Sequence, residues 1–215
     1  MKKWLALVVA ALLALSTFAA FAVDSPKPEA TIDADSIKST TDAEIEEDFI
    51  VAIPEEEPEQ LAEMTEKAEE VIKGGDPIVE LFDEDVQKAI EEKLPEETDL
   101  ETLEMNELIP LIVENYKEEY GDVEVVIHFP TDYSEDQDLV AMLGCFTEAN
   151  VDEEAGKDGY EWFALEAEAL EDEVKEDGTV EDGGVKITFT QEALEAAEAA
   201  DARLLGILST PAETK

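Results

Sequence analysis

Beyond about residue 103, apolar side chains return at every second position. "VEVVIHF" (123–129) sets Val123, Val125, Ile127 and Phe129 on one face and Glu124, Val126 and His128 on the other. "VKITF" (185–189) opposes Val185, Ile187 and Phe189 to Lys186 and Thr188. "FALEAEA" (163–169) opposes Phe163, Leu165, Ala167 and Ala169 to Ala164, Glu166 and Glu168. A period of two belongs to pleated strands with one dry face. "LVAMLGCF" (139–146) is apolar at both parities, as expected of a central strand covered on both sides. "RLLGILS" (203–209) reads as a last strand, and "MNELIPLIVE" (105–114) as an edge strand, because Pro110 lacks a ladder donor. Tyr120-Gly121-Asp122, Asp158-Gly159, Asp177-Gly178 and Asp182-Gly183-Gly184 punctuate these runs. Thr190 caps a late helix within "QEALEAAEAADA". The expectation for 103–210 is an antiparallel β-sandwich of immunoglobulin-like character. The alternative is an α+β sheet with helices on one face. The chain as a whole is therefore of the α+β class.

Upstream, the period is helical. In 57–73, Leu61, Met64, Ala68, Val71 and Ile72 form one stripe, acids crowd the first turn, and Gly74-Gly75 stop it. In 84–94, Val86, Ala89, Ile90 and Leu94 share a face, Asp83 is the N-cap and Pro95 ends the run. Thr98 and Glu101 have capping-box spacing. Residues 49–102 thus read as a small helical module. Residues 23–48 are polar and aperiodic, and read as a flexible acidic linker. Residues 211–215 form a tail.

"MKKWLALVVAALLALSTFAAFA" (1–22) has a basic start, an apolar run and the small-residue site Ala20-Phe21-Ala22. That order is a cleavable secretory signal peptide, so the chain is expected to be secreted. A retained membrane anchor is the competing reading.

The chain holds 59 acidic and 14 basic residues among 215, a net charge of −45. Polyanions such as nucleic acids and anionic membrane surfaces repel it. No nucleic-acid partner is expected, nor a membrane partner once the signal is removed. Basic partners, divalent cations or plain solubility are compatible with it, and the acidity reads first as solvated surface. Cys145 is the sole cysteine, so no internal disulfide forms. It reads as a small buried apolar residue; pairing with the single histidine, His128, is the minor alternative.

In "NVDEEAGKDGYE" (150–161), Asn150, Asp152, Glu154, Asp158 and Glu161 stand at loop positions 1, 3, 5, 9 and 12. A calcium loop needs Gly at position 6, an apolar residue at 8 and helical flanks. Ala155, Lys157 and strand-like flanks break all three requirements. These residues are metal candidates only as the second reading, after an exposed hairpin loop. Tyr160 and Trp162 adjoin them. They read first as core and second as a platform for a carbohydrate or peptide, since Trp162 lies opposite Phe163. No G-x-S-x-G, H-E-x-x-H, phosphate-binding glycine loop or paired Cys/His zinc motif occurs.

The segments "ENYKEEYGDVEV", "WFALEAEALEDE" and "DGGVKITFTQEALEAAEAADARLLGILS" resemble uncharacterised secreted acidic proteins of Gram-positive anaerobic bacteria, over roughly residues 60–210. The resemblance implies export and brings no chemistry with it. The functional expectation is an exported, non-catalytic acidic protein that binds a protein or carbohydrate partner at or outside the cell envelope, without a cofactor. The alternatives are an extracellular hydrolase using paired carboxylates and a calcium-dependent module.

Overall fold

The structure is a computed structural model that describes residues 30–152, 157–171, 173–174, 180–181 and 183–212. The signal-like start, 1–22, lies outside them, as does Glu154. In chain order the described strands are β1 (Thr31–Ser39), β2 (Ile50–Ala52), β3 (Glu104–Pro110), β4 (Ile112–Glu114), β5 (Val123–His128) and β6 (Leu139–Asp152). They continue with β7 (Lys157–Ala169), β8 (Glu173–Val174), β9 (Val180–Glu181), β10 (Val185–Phe189) and β11 (Ala202–Ser209). The helices are α1 (Glu59–Gly74), α2 (Glu84–Lys93) and α3 (Gln191–Ala199), joined by short 3-10 turns at Ile78–Leu81, Leu100–Thr102 and Glu118–Tyr120.

Seven strands form one antiparallel sheet in the order β1-β5-β10-β7-β6-β11-β3; β2–β4 and β8–β9 form two-stranded ribbons. The α+β class stands. The ladders do not divide these seven strands between two facing sheets, the immunoglobulin-like arrangement expected from the alternation. The physical reason is that alternation marks which face of a strand is dry, and is silent on whether a sheet or a helix dries it. Here both occur. On one face, Val123, Val125, Ile127, Leu143, Leu165, Ile187, Phe189 and Leu205 meet α3 through Ala193, Leu194 and Ala197, and meet the β2–β4 ribbon through Val51 and Val113. On the other, Val140, Met142 and Leu208 meet Ala68 of α1, Ile90 of α2 and the turn residues Ile78, Val79 and Phe82. The segment 49–102 therefore shares its core with the strands that follow it.

Local signals explain most boundaries. The Asp83 carboxylate accepts from the backbone N–H groups of Asp85 and Val86, capping α2. Thr190 accepts from Ala193 N–H at the start of α3. Gly75, at φ +84°, ends α1 in the left-handed conformation. β3 is an edge strand that finishes at Pro110. At 98–102 the cap is Asp99, whose carboxylate accepts from Glu101 N–H, in place of the expected Thr98.

One expectation is corrected outright. Residues 31–39, assigned to a flexible linker, form edge strand β1 against β5, with Thr31 opposite His128 and Ile32 opposite Ile127. Ile32 and Ile37 pack on the larger core. The strand is interrupted between Asp33 and Lys38, where Ser36 Oγ accepts from Val126 N–H at 2.8 Å. That break removes the strict alternation by which a strand is recognised.

Leu165 is fully buried between β10 and β6 beneath α3. Leu165→Ala is expected to lower unfolding stability by about 2–5 kcal/mol. Asp83→Ala, which removes only a cap, is expected to cost about 1 kcal/mol. Urea denaturation of the two variants checks the order; equal losses would contradict this account of the core.

Candidate functional site

The β6–β7 ladder is regular from Val140 opposite Glu166 to Phe146 opposite Tyr160, then slips; the next pair is Val151 opposite Asp158. Residues 147–150 have no counterpart of equal length on β7, so β6 bulges there. Gly159 makes the slip feasible. It sits at φ +84°, and a Cβ there would lie 2.7 Å from Val151 Cγ2 and 2.9 Å from Phe146 Cε2.

The bulge leaves a groove of about 840 Å³ between residues 149–152 and 157–162 of the hairpin and the turn Leu81–Asp83. Its lining is largely polar, with three aromatic residues, Phe82, Tyr160 and Trp162, flooring one side. Tyr160 stacks on Trp162 with centroids 5.4 Å apart and planes inclined by 18°. Phe82 meets Trp162 edge-on at 5.1 Å, and Phe146 meets Tyr160 at 5.2 Å. Phe82 is held by Gln87, whose side-chain amide donates to the carbonyls of Val79 and Phe82. Gly144, opposite Trp162 in the ladder, gives the indole its seat: a Cβ there would lie 2.6 Å from the six-membered ring.

One cation has already found this floor. Lys67 of α1 places Nζ 2.9 Å from Asp158 Oδ2 and 6.0 Å from the Tyr160 ring centroid. The Tyr160 hydroxyl donates to the Gln60 carbonyl at 3.4 Å. Burial, then the charges of Asp158 and Glu63, hold that phenol above its ordinary range. It stays a protonated donor throughout the neutral region.

Tyr160 and Trp162, read first as core and second as a ligand platform, are stacked together, half-buried, and both line the groove. The oxygen-bearing loop residues do not converge. Asn150, Asp152, Asp158 and Glu161 all border the groove, but Asp152 stands opposite Lys157 in the ladder, on the alternate face from Asp158, and Asp158 is bonded to Lys67. Strand alternation directs Glu161, opposite Cys145, to the face away from Tyr160 and Trp162. Among the described residues no group of three or more His, Cys, Asp or Glu side chains comes together to hold a metal; Glu154 lies outside them. Phe82 and Gly159 line the groove, and Lys67 and Gly144 touch residues that line it; none was legible as a site residue, because each is placed by tertiary packing or ladder register.

Cys145 and His128 do not meet. Strands β7 and β10 lie between theirs, and three strand spacings amount to about 14 Å. Cys145 is buried, and burial pushes its thiol up to about 12, against the pull of Arg203. That is the reverse of an activated nucleophile. A facing carboxyl pair does exist: Glu171, hydrogen-bonded to Glu135 and close enough to repel its charge, raises the Glu135 pKa. Both residues are exposed, whereas a catalytic acid needs shelter from solvent.

No family model, curated protein or solved structure matches the chain.

Two outcomes test this geometry. Gly144→Ala is expected to displace the indole, shift Trp162 emission and cost about 1–3 kcal/mol of stability; unchanged emission and stability would refute the seat. Folded Glu135 holds its proton more firmly than unfolded Glu135 does. Its contribution is therefore present below the ordinary carboxylate range and lost as pH rises through the raised pKa. Glu135→Gln should raise the melting temperature near about pH 7 and leave it unchanged near about pH 3, as read by thermal melts across that range.

Proposed function

We propose that this chain is an exported, non-catalytic acidic protein that acts by binding, and that the groove over Tyr160 and Trp162 is its contact site. One observation carries the reading: an open groove of about 840 Å³ floored by two stacked aromatic rings. Large concave sites with aromatic walls and a few polar groups are where proteins hold peptides and sugars. The floor is also braced, by Phe82 and Gly144, so little side-chain freedom is lost on binding. Export rests on the signal-like order of residues 1–22. The non-catalytic assignment is supported by the buried thiol and by its distance from the histidine.

Titration of the isotope-labelled protein with a panel of oligosaccharides and short peptides tests the site. Chemical-shift changes are expected at the Trp162 indole N–H and at the amides of 149–152 and 157–162. Saturable binding with shifts confined to another surface would remove the groove as the contact site.

A further inference from the structure

We infer that the groove is selective for basic side chains and that Lys67 is a stand-in for its ligand. The inference rests on the groove being the contact site and adds the chemistry of the occupant. Lys67 does not itself line the groove, but it shows what two of the lining residues accept: an ammonium held by the Asp158 carboxylate at 2.9 Å and set over the Tyr160 ring at 6.0 Å. A carboxylate beside an aromatic face is a cation-recognition arrangement, and it discriminates against anions and gives neutral groups no charge attraction. Asp83, whose carboxylate caps α2 through Oδ1, also lines the groove and adds to its negative charge. The chain's charge of −45 draws basic partners from a distance, faster at low salt.

The internal lysine is exchangeable. The Lys67 and Asp158 side chains retain 43% and 47% of their exposure, and ion pairs this open contribute little. A lysine- or arginine-bearing peptide therefore displaces Lys67 from Asp158 and Tyr160, and the α1 lysine competes with the ligand. Occupation of the groove and release of Lys67 are one event, because both cations need the same carboxylate and the same ring face.

The test uses the full chain carrying Trp4→Phe, which leaves Trp162 as the single tryptophan. Acetylated, amidated tetralysine is titrated against Trp162 emission, with tetraglutamate and cellotetraose as comparison probes. Tetralysine is expected to give a saturable shift that weakens with salt, and the other two none. Lys67→Gln removes the competitor and should tighten tetralysine binding by about two- to fivefold. Lys73→Gln removes the same charge from an exposed site on the same helix, where it pairs with Glu69, and should change binding by less than about twofold. Asp158→Asn should weaken binding, with its melting temperature confirming that it folds. Equal effects of Lys67→Gln and Lys73→Gln would mean diffuse attraction to an acidic surface and overturn the inference. A Trp162 response to cellotetraose but not to tetralysine would overturn it while leaving the groove as the contact site. No Trp162 response to any probe, with shifts confined elsewhere in the spectrum, would remove both.

Discussion

The structure depends on one strand that is dry on both sides. From Leu139 to Cys145 every residue of β6 is buried. Leu139, Ala141, Leu143 and Cys145 point into the larger core, and Val140 and Met142 into the smaller. Each apolar side chain so buried contributes on the order of 1.5–3 kcal/mol. Burial on both faces requires two covers. The helices α1 and α2 supply one, and α3 with the β2–β4 ribbon supplies the other. A chain of net charge −45 repels itself, and it stays compact by keeping its carboxylates on the outer surface of this three-layer stack. Lys93, the last residue of α2, pairs with Glu166 of β7, and Lys186 of β10 pairs with Glu168, on the sheet face that carries α1 and α2.

The groove arises where that same ladder stops being regular. Up to Phe146 and Tyr160 the strands β6 and β7 are in register, and Gly144 lets the Trp162 indole lie close to the neighbouring backbone. Past that point the bulge pulls β6 away and the aromatic floor is uncovered. Two glycines thus do opposite things: Gly144 brings a ring close, and Gly159, in a left-handed conformation, lets the strand turn aside. The α1 helix, packed on the same face, puts Lys67 within reach of Asp158 and Tyr160. The buried core and the groove use different stretches of one hairpin.

Several strands and both longer helices were legible because their signals are local. β10 runs from Val185 to Phe189, the residues expected from their alternation, and α2 starts after its Asp83 cap and stops before Pro95. β1 was not legible, since its pairing is broken between Asp33 and Lys38 and only Ile32 and Ile37 mark its dry side. Of the candidate site, Tyr160 and Trp162 stood out by residue type and by facing away from Phe163. The acids of 150–161 matched a calcium loop in spacing alone, because a linear count ignores strand alternation. In a hairpin, strand alternation sends Asp158 and Glu161 to opposite faces, whereas a helix-flanked loop turns its acids toward one point.

By itself the sequence determined the secondary structure of its periodic segments, the acidity of the surface, and which face of each strand sheds water, because these follow from side-chain spacing and charge. Only the tertiary structure decided that seven strands join in one sheet, that helices cover its second face, and that Phe82 and Lys67 meet a hairpin some eighty to ninety residues away. Periodicity states that a face is dry; it does not name the partner that dries it, since apolar burial is set by area and not by direction.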